Sequence, residues 1–226
     1  MNNIDFVGRL KNIIVNYNTA YAKGTFGQKA TDTFINQKKA QYPIWYTSAR
    51  TNYLKSLPDD TRLFDCVGLV KAVLWGFPNT VYTSNGVPDL NDSGIYNACK
   101  NKSKDFSTIE IGELVHISGH VGIYIGDNKV IECTNAWEGK VIITSMVECA
   151  GYHTRKWAEH GKLPYIDYVN NTFNVKVETD WLEVHNTYSI KEVNKNRPTL
   201  TIVDTKENFG KLATGGWVDL TKCRRI

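Results

Sequence analysis

The sequence of 226 residues has no apolar run long enough to cross a bilayer. Its apolar stretches break after about ten residues, against the roughly 20 that a spanning helix needs, so stable membrane insertion is not expected. No block of five like charges occurs, and the net charge of +4 is spread evenly along the chain. Nucleic-acid binders concentrate basic charge on one arm or face, so a nucleic-acid partner is not expected either. Five cysteines (66, 99, 133, 149 and 223) with no CxxC pair argue against a zinc ribbon and a dense disulfide framework. Neither a metal nor an organic cofactor is implied. The amino end, MNNIDFVGRLKN, lacks the basic-then-apolar order of a secretory signal. The expectation is a chain synthesised in the cytoplasm, where thiols stay reduced. Repeats and low-complexity segments are also missing, and 42% hydrophobic with 22% charged residues is a globular composition.

What is present changes character along the chain. Val7, Leu10, Ile13, Ile14 and Tyr17 recur at helical spacing and predict an amphipathic helix over residues 4–17. A second helix is expected over 31–39. Asp65 to Gly76 reads as a helix with Asp65 as N-cap, Leu69, Val70, Val73 and Leu74 as apolar stripe, and Gly76 as stop. Residues 78–108, punctuated by Pro78, Asn85-Gly86, Pro88 and Asn91-Asp92-Ser93-Gly94, read as a loop-rich crossover with a short helix over 95–100. From Glu113 the period becomes two, and 113–118, 120–126, 129–134 and 140–145 are strand candidates rich in Val and Ile. Helices followed by an antiparallel sheet make the fold class α+β. After Lys162-Leu163-Pro164 only short strand-like pieces follow (173–178, 181–185, 200–203, 209–212 and 217–220), which predict a small β-barrel. The expected domains are residues 1–166 and 167–226.

Cys66 falls in the first turn of its helix, where unpaired amides and the helix dipole favour a thiolate over the free thiol, whose ordinary pKa is about 8.5. A helical cysteine is otherwise a small buried hydrophobe. The second element is Gly119-His120-Val121-Gly122-Ile123-Tyr124-Ile125-Gly126. Alternation puts His120, Gly122 and Tyr124 on one strand face, with glycines leaving room beside the histidine for a substrate backbone. A cysteine at a helix start followed by a glycine-flanked strand histidine is the arrangement of thiolate–imidazolium catalysis. His116 shares the His120 face, and without a third ligand at suitable spacing it reads as surface or supporting, not metal-binding. His153, His160 and His185 have no partner legible in the sequence, and Cys99, Cys133, Cys149 and Cys223 read as structural thiols.

Asp65-Cys66-Val67-Gly68-Leu69-Val70 resembles the D-C-S-G-L-V signature of NlpC/P60 cell-wall cysteine peptidases, with Val67 in place of the usual serine. The Gly119–Gly126 segment resembles the histidine strand of that family, and Gly112-Glu113-Leu114-Val115 the G-D-L-V that precedes it. Tyr21-Ala22-Lys23-Gly24 echoes an upstream Y-x-W-G, some forty residues before Asp65, a longer separation than the family normally has. The resemblance covers residues 21–144. It implies a papain-like fold, Cys66 and His120 as catalytic pair, Tyr21 near the substrate, and hydrolysis of an amide bond in the stem peptide of bacterial peptidoglycan. An amidase or transferase on the same fold and a non-catalytic wall-binding module are the alternatives. A wall-active chain without an export signal resembles a phage endolysin, acting on the wall after release.

The resemblance puts the third catalytic position at Glu132. A two-residue turn at Asp127-Asn128 pairs Ile123 with Glu132 and turns the carboxylate away from His120. A three-residue loop, 127–129, pairs Tyr124 with Glu132 on the His120 face, but about four residues, or roughly 13 Å, along the strand. Asn135, nearly opposite His120 in either register, is the rival. At the carboxy end, residues 209–220 and 175–184 resemble the closing and opening strands of bacterial SH3-like wall-binding domains. That resemblance implies wall targeting, with Trp181 and Trp217 as contacts or as fillers of the barrel core.

Overall fold

In the computed structural model the described residues are 1–169, 173–178, 181–185, 190–194, 200–206, 208–212 and 216–226. They divide into two compact units, Met1–Tyr168 and Val169–Ile226.

In the first unit, the Asn2 side chain accepts from the Asp5 amide (2.8 Å) and starts α1, Asn3–Asn16. Phe6, Val7, Leu10 and Ile13 form its buried stripe. Next come β1 (Thr19–Tyr21), β2 (Phe26–Lys29), α2 (Asp32–Gln41), α3 (Ser48–Lys55) and β3 (Arg62–Phe64). The three strands make a small sheet in the order β1-β3-β2, with β1 parallel to β3. Helices α2 and α3 close over a core of their own, built from Ala20, Ala22, Ala30, Ile35, Tyr46, Leu54 and Leu63. Of these elements only α1 and α2 are expected from the sequence. The strands are three or four residues long, too short to show alternation, and α3 (SARTNYLK) buries only Thr51 and Leu54.

Helix α4, Cys66–Leu74, begins after the Asp65 cap, buries every residue, and ends at Trp75 with Gly76 in a left-handed conformation (φ 93°). It packs with α1 against the main sheet in a core that includes Leu69, Val70, Val73, Val121, Ile123, Ile131 and Cys133. Full burial of each such aliphatic side chain is worth about 1.5–3 kcal/mol. After α5 (Asp92–Ala98) the chain contributes β4 (Lys100–Ser103), β5 (Leu114–Ile117), β6 (His120–Gly126), β7 (Lys129–Cys133), β8 (Val141–Ser145) and β9 (Glu159–Lys162). They form a six-stranded antiparallel sheet in the order β4-β9-β5-β6-β7-β8. Its opposite face carries a smaller cluster of Val115, Val130 and Trp157. Thus β5 to β8 lie where alternation puts them, whereas β4 and β9, both charged and histidine-containing or lysine-rich, give no apolar period.

The register of the β6–β7 hairpin differs from both expectations. Asp127 and Asn128 form a two-residue turn, each with positive φ (52° and 56°), and Gly126 pairs with Lys129. A bulge at Ile125 then shifts the ladder, so Tyr124 pairs with Val130 and Ile123 with Ile131. Continued in that register, Glu132 stands opposite Gly122, on the His120 face and only one diagonal step from the histidine. The gap of four residues expected from a flat hairpin is cut to two by one extra residue in β6.

The second unit comprises β10 (Phe173–Val177), β11 (Trp181–His185), β12 (Ile190–Asn194), β13 (Leu200–Lys206), β14 (Phe209–Leu212), β15 (Trp217–Asp219) and β16 (Cys223–Arg225). They form one antiparallel sheet in the order β12-β11-β15-β14-β13-β10-β16 around Val177, Leu200, Ile202, Leu212 and Val218. Among the described residues no pairing joins β12 to β16, and the strands of the expected small barrel form an open series there. Among the described residues no helix is long and apolar enough to cross a membrane.

Candidate active site

Asp65 anchors the start of α4 from two sides. Its Oδ1 accepts from the Gly68 amide (2.5 Å), and its Oδ2 accepts from the Gly24 amide (2.8 Å). The Asp65 amide in turn donates to the Thr25 carbonyl (3.0 Å). A Cβ on Gly68 would stand 1.8 Å from that Thr25 oxygen, so only glycine lets the 21–25 segment lie against the helix start. Tyr21, paired with Phe64 through the parallel β1–β3 ladder, is thereby set beside the cysteine despite the long separation in sequence. Its phenol is pushed above the ordinary range by burial first, then by the charges that Cys66 and Asp65 would carry.

Cys66 is buried, and the backbone amides of Val121, the residue after His120, and of Val67 favour its thiolate. Burial, followed by the Asp65 carboxylate, nevertheless pushes its thiol up to about 12. The amides at the helix start favour the thiolate, as expected, and burial opposes them. Ionisation here requires a base.

His120 donates from Nε2 to Glu132 Oε2 at 2.6 Å. With Nε2 carrying that proton, the neutral ring offers Nδ1 as its lone-pair acceptor. Glu132 is fully buried and accepts three further hydrogen bonds from two other groups. Thr144 Oγ1 donates to Oε1 (2.6 Å), and Arg155 Nε bridges Oε1 and Oε2 (3.0 and 2.9 Å). Burial raises this carboxyl, but the His120 and Thr144 hydrogen bonds and the His120 and Arg155 charges outweigh it and hold Glu132 below its ordinary value. Asn135 is exposed, so of the two rivals it is Glu132 that meets the imidazole.

Of the two glycines beside His120, Gly119 has open space at its Cβ position, as expected, and Gly122 does not. A Cβ on Gly122 would meet Val130 at 2.5 Å and Trp157 at 3.1 Å, so its space is filled by protein, not left for substrate. Trp157 stacks on the His120 ring (centroids 5.6 Å, interplanar angle 14°). Thr144, Arg155 and Trp157 are absent from the sequence reading. The 146–158 segment has no period, and its placement comes from backbone bonds of Ser145 to His153 and Arg155 (both 2.9 Å).

The remaining histidines of this unit find partners that the sequence does not disclose. His116, expected as a surface or supporting residue, is buried and bonds Glu159 through Nδ1 at 2.9 Å. His160 pairs with Glu113 inside the sheet and reaches the Asp105 carbonyl at 3.0 Å. His153 stacks on Trp137 at 4.8 Å. Among the described residues no group of His, Cys, Asp and Glu is placed to hold a metal ion. Trp217, in the second unit, is half-buried on β15, opposite Lys211 and His185; the Trp181 side chain lies outside the described residues.

A thiol at a helix start, an imidazole on a strand of the sheet that packs against that helix and a carboxylate bonded to the ring are the groups that nucleophilic thiol chemistry calls for. Residues 52–160, just under half of the chain, match the model of the NlpC/P60 family. No curated protein matches it. Two solved structures are similar. One is the P60 domain of an antigen from M. avium subspecies paratuberculosis, at 15% identity and a TM-score of 0.40, covering 71% of this chain and 93% of that one. The other is the peptidoglycan hydrolase RipB from Mycobacterium tuberculosis, at 18% identity and a TM-score of 0.40, covering 74% of this chain and 67% of that one.

Proposed function

We propose that the first unit is a cysteine peptidase that hydrolyses an amide bond in the stem peptide of bacterial peptidoglycan. The observation that carries the reading is the 2.6 Å His120–Glu132 pair, one residue from the Val121 amide that favours the Cys66 thiolate. The match of this stretch to NlpC/P60 supplies the substrate class.

Nδ1 of His120 takes the thiol proton as the sulfur attacks the amide carbonyl, so the high resting value of the thiol is overcome by transfer within the pair. Glu132 keeps the ring in the tautomer that can accept and steadies the imidazolium that results. The Cys66 amide, at the first position of α4, donates to the oxyanion. The imidazolium then protonates the leaving amine, and water, activated by the same ring, cleaves the thioester. Tyr21, with its ring 5.9 Å from Trp45, walls the cleft on the other side.

The second unit is proposed as an SH3-like wall-binding module, with Trp217 as a contact. The whole chain is proposed as a phage endolysin, made in the cytoplasm and acting on the wall after release. Both rest on the sequence resemblance alone.

The test is digestion of purified sacculi by wild type and Cys66→Ala, with mass spectrometry of the released muropeptides. New termini within the stem peptide with wild type, and none with the variant, are expected. Equal clearing by both removes the mechanism, and free sugar-lactyl ends would move the cut to an amidase site.

A further inference from the structure

Arg155 carries more than its share of this site. Its Nε bridges both oxygens of the buried Glu132 carboxylate, and its Nη2 donates to Thr134 Oγ1 at 3.1 Å. The guanidinium is also held by its faces. It lies over Trp137 (4.7 Å to the ring centroid) and over Trp157 (5.7 Å). Trp157 stacks on His120, and Trp137 stacks on His153 (interplanar angle 5°). One column thus runs His153–Trp137–Arg155–Trp157–His120. With a histidine and an arginine against its ring, Trp137 is occupied by the column and is not an open platform for a ligand. Its left-handed backbone (φ 55°) shows how specifically the β7–β8 loop is shaped to bring it there.

We propose that Arg155 is a positioning residue for the reaction: it holds Glu132 as an anion, in the plane that meets the His120 ring. The inference rests on the hydrolase reading above but concerns a residue that neither the family motifs nor the sequence pattern single out.

The physical case is a comparison of charges. A buried carboxylate facing only an imidazole can collect a proton and lose its grip on the ring. The groups facing Glu132 are His120 from β6, Thr144 from β8 and Arg155 from the returning segment, with the Cys133 thiol beside it on β7. Asp92 and Cys66 lie at the His120 end, and Glu138 and His153 at the outer end of the column. Arg155 is the one permanent cation bonded to the carboxylate among the described residues. One Nε–H shared between the two carboxylate oxygens, with Nη2 of the same planar group tied to Thr134, fixes the orientation of the donor as well as its charge, which lysine cannot copy.

The readout must separate this proposal from the reaction assignment. The rate of Cys66 alkylation by iodoacetamide is measured from pH 4.5 to 9, with the peptide mapped by mass spectrometry. The set is wild type, H120N, R155M, R155K, E132Q and E132Q/R155M, with thermal melting of each. If H120N alkylates as wild type does, the thiol–imidazole pairing fails and the function with it. If H120N slows alkylation, the pairing stands and Arg155 is tested on its own. R155M is then expected to move the acid limb up by about one pH unit and to slow alkylation at pH 6 by about tenfold. R155K is expected to recover part of the pH limb without the full rate. On the E132Q background, where no anion remains to be held, R155M should change the rate less than about twofold. An R155M profile that overlays wild type overturns the proposal, as does an equal loss with and without Glu132. Should R155M not fold, R155K and the E132Q pair decide by the same two criteria.

Discussion

His120–Glu132 and His160–Glu113 are both histidine–carboxylate pairs buried on the six-stranded sheet, and the difference between them lies in what else each ring and each carboxylate touches. His160 has both nitrogens engaged, by Glu113 and by the Asp105 carbonyl, and its side chain is 2% exposed. His120 engages only Nε2 among the described residues, and its side chain keeps 13% exposure. Among the described residues Glu113 meets no arginine, and burial drives its carboxyl above the ordinary range. Glu132 has Thr144 and Arg155 besides the ring, and lies below it. A sealed pair staples strands together. A pair with one nitrogen open and a second cation on the carboxylate can pass a proton and return to the same state.

Removing each ring tests that contrast most severely. His120→Asn is expected to lower muropeptide release by about a thousandfold or more while shifting the melting temperature little, because Glu132 keeps Thr144 and Arg155. His160→Asn is expected to do the reverse. It strips the hydrogen-bonded side-chain partner from a buried carboxyl, at about 3–5 kcal/mol in urea unfolding, and leaves the turnover of the folded fraction close to wild type. Matching losses of stability in both variants would erase the distinction between staple and relay.

A pH series sharpens the same contrast at the carboxylate. Glu132 has a folded value below its ordinary 4.5, so the stability it contributes is present above 4.5 and is lost as pH falls through the folded value. The melting-temperature gap between wild type and Glu132→Gln is therefore expected to be widest near neutrality and to close as the pH drops below 4.5. A gap that stays constant down to pH 3 would mean that the charge on Glu132 is not what the fold stabilises.

These tests centre on residues the sequence exposes unevenly. Cys66, its Asp65 cap and the His120 strand are legible because helix capping and two-residue alternation are local, and each is written in neighbouring residues. Glu132 is reached only through family position, since the bulge at Ile125 that brings it back to His120 depends on two left-handed residues and leaves no mark in the apolar pattern. Arg155 and Trp157 are invisible at that level. Their segment is placed by backbone bonds to Ser145, a tertiary event without periodicity. The same holds for α3, which shares a small core with α2 and carries little amphipathic signal, whereas α2 is expected over 31–39 and found over Asp32–Gln41.

The smallest expected effect concerns Tyr21, on the far side of the thiol from the relay. Its strand is fixed by backbone bonds that a side-chain change does not touch, Tyr21 N–H to Gly139 O at 2.7 Å and Ala22 N–H to Phe64 O at 2.8 Å. Tyr21→Phe keeps the ring against Trp45 and deletes only the hydroxyl near the sulfur. If that hydroxyl orients the bound peptide, removing it costs one hydrogen bond to substrate. Turnover of sacculi then drops by about three- to tenfold, and the rate and pH profile of Cys66 alkylation stay at wild type. If the phenol instead helps to set the thiol, alkylation shifts together with turnover, and Tyr21 belongs with His120 and Glu132 on the proton-handling side of the comparison.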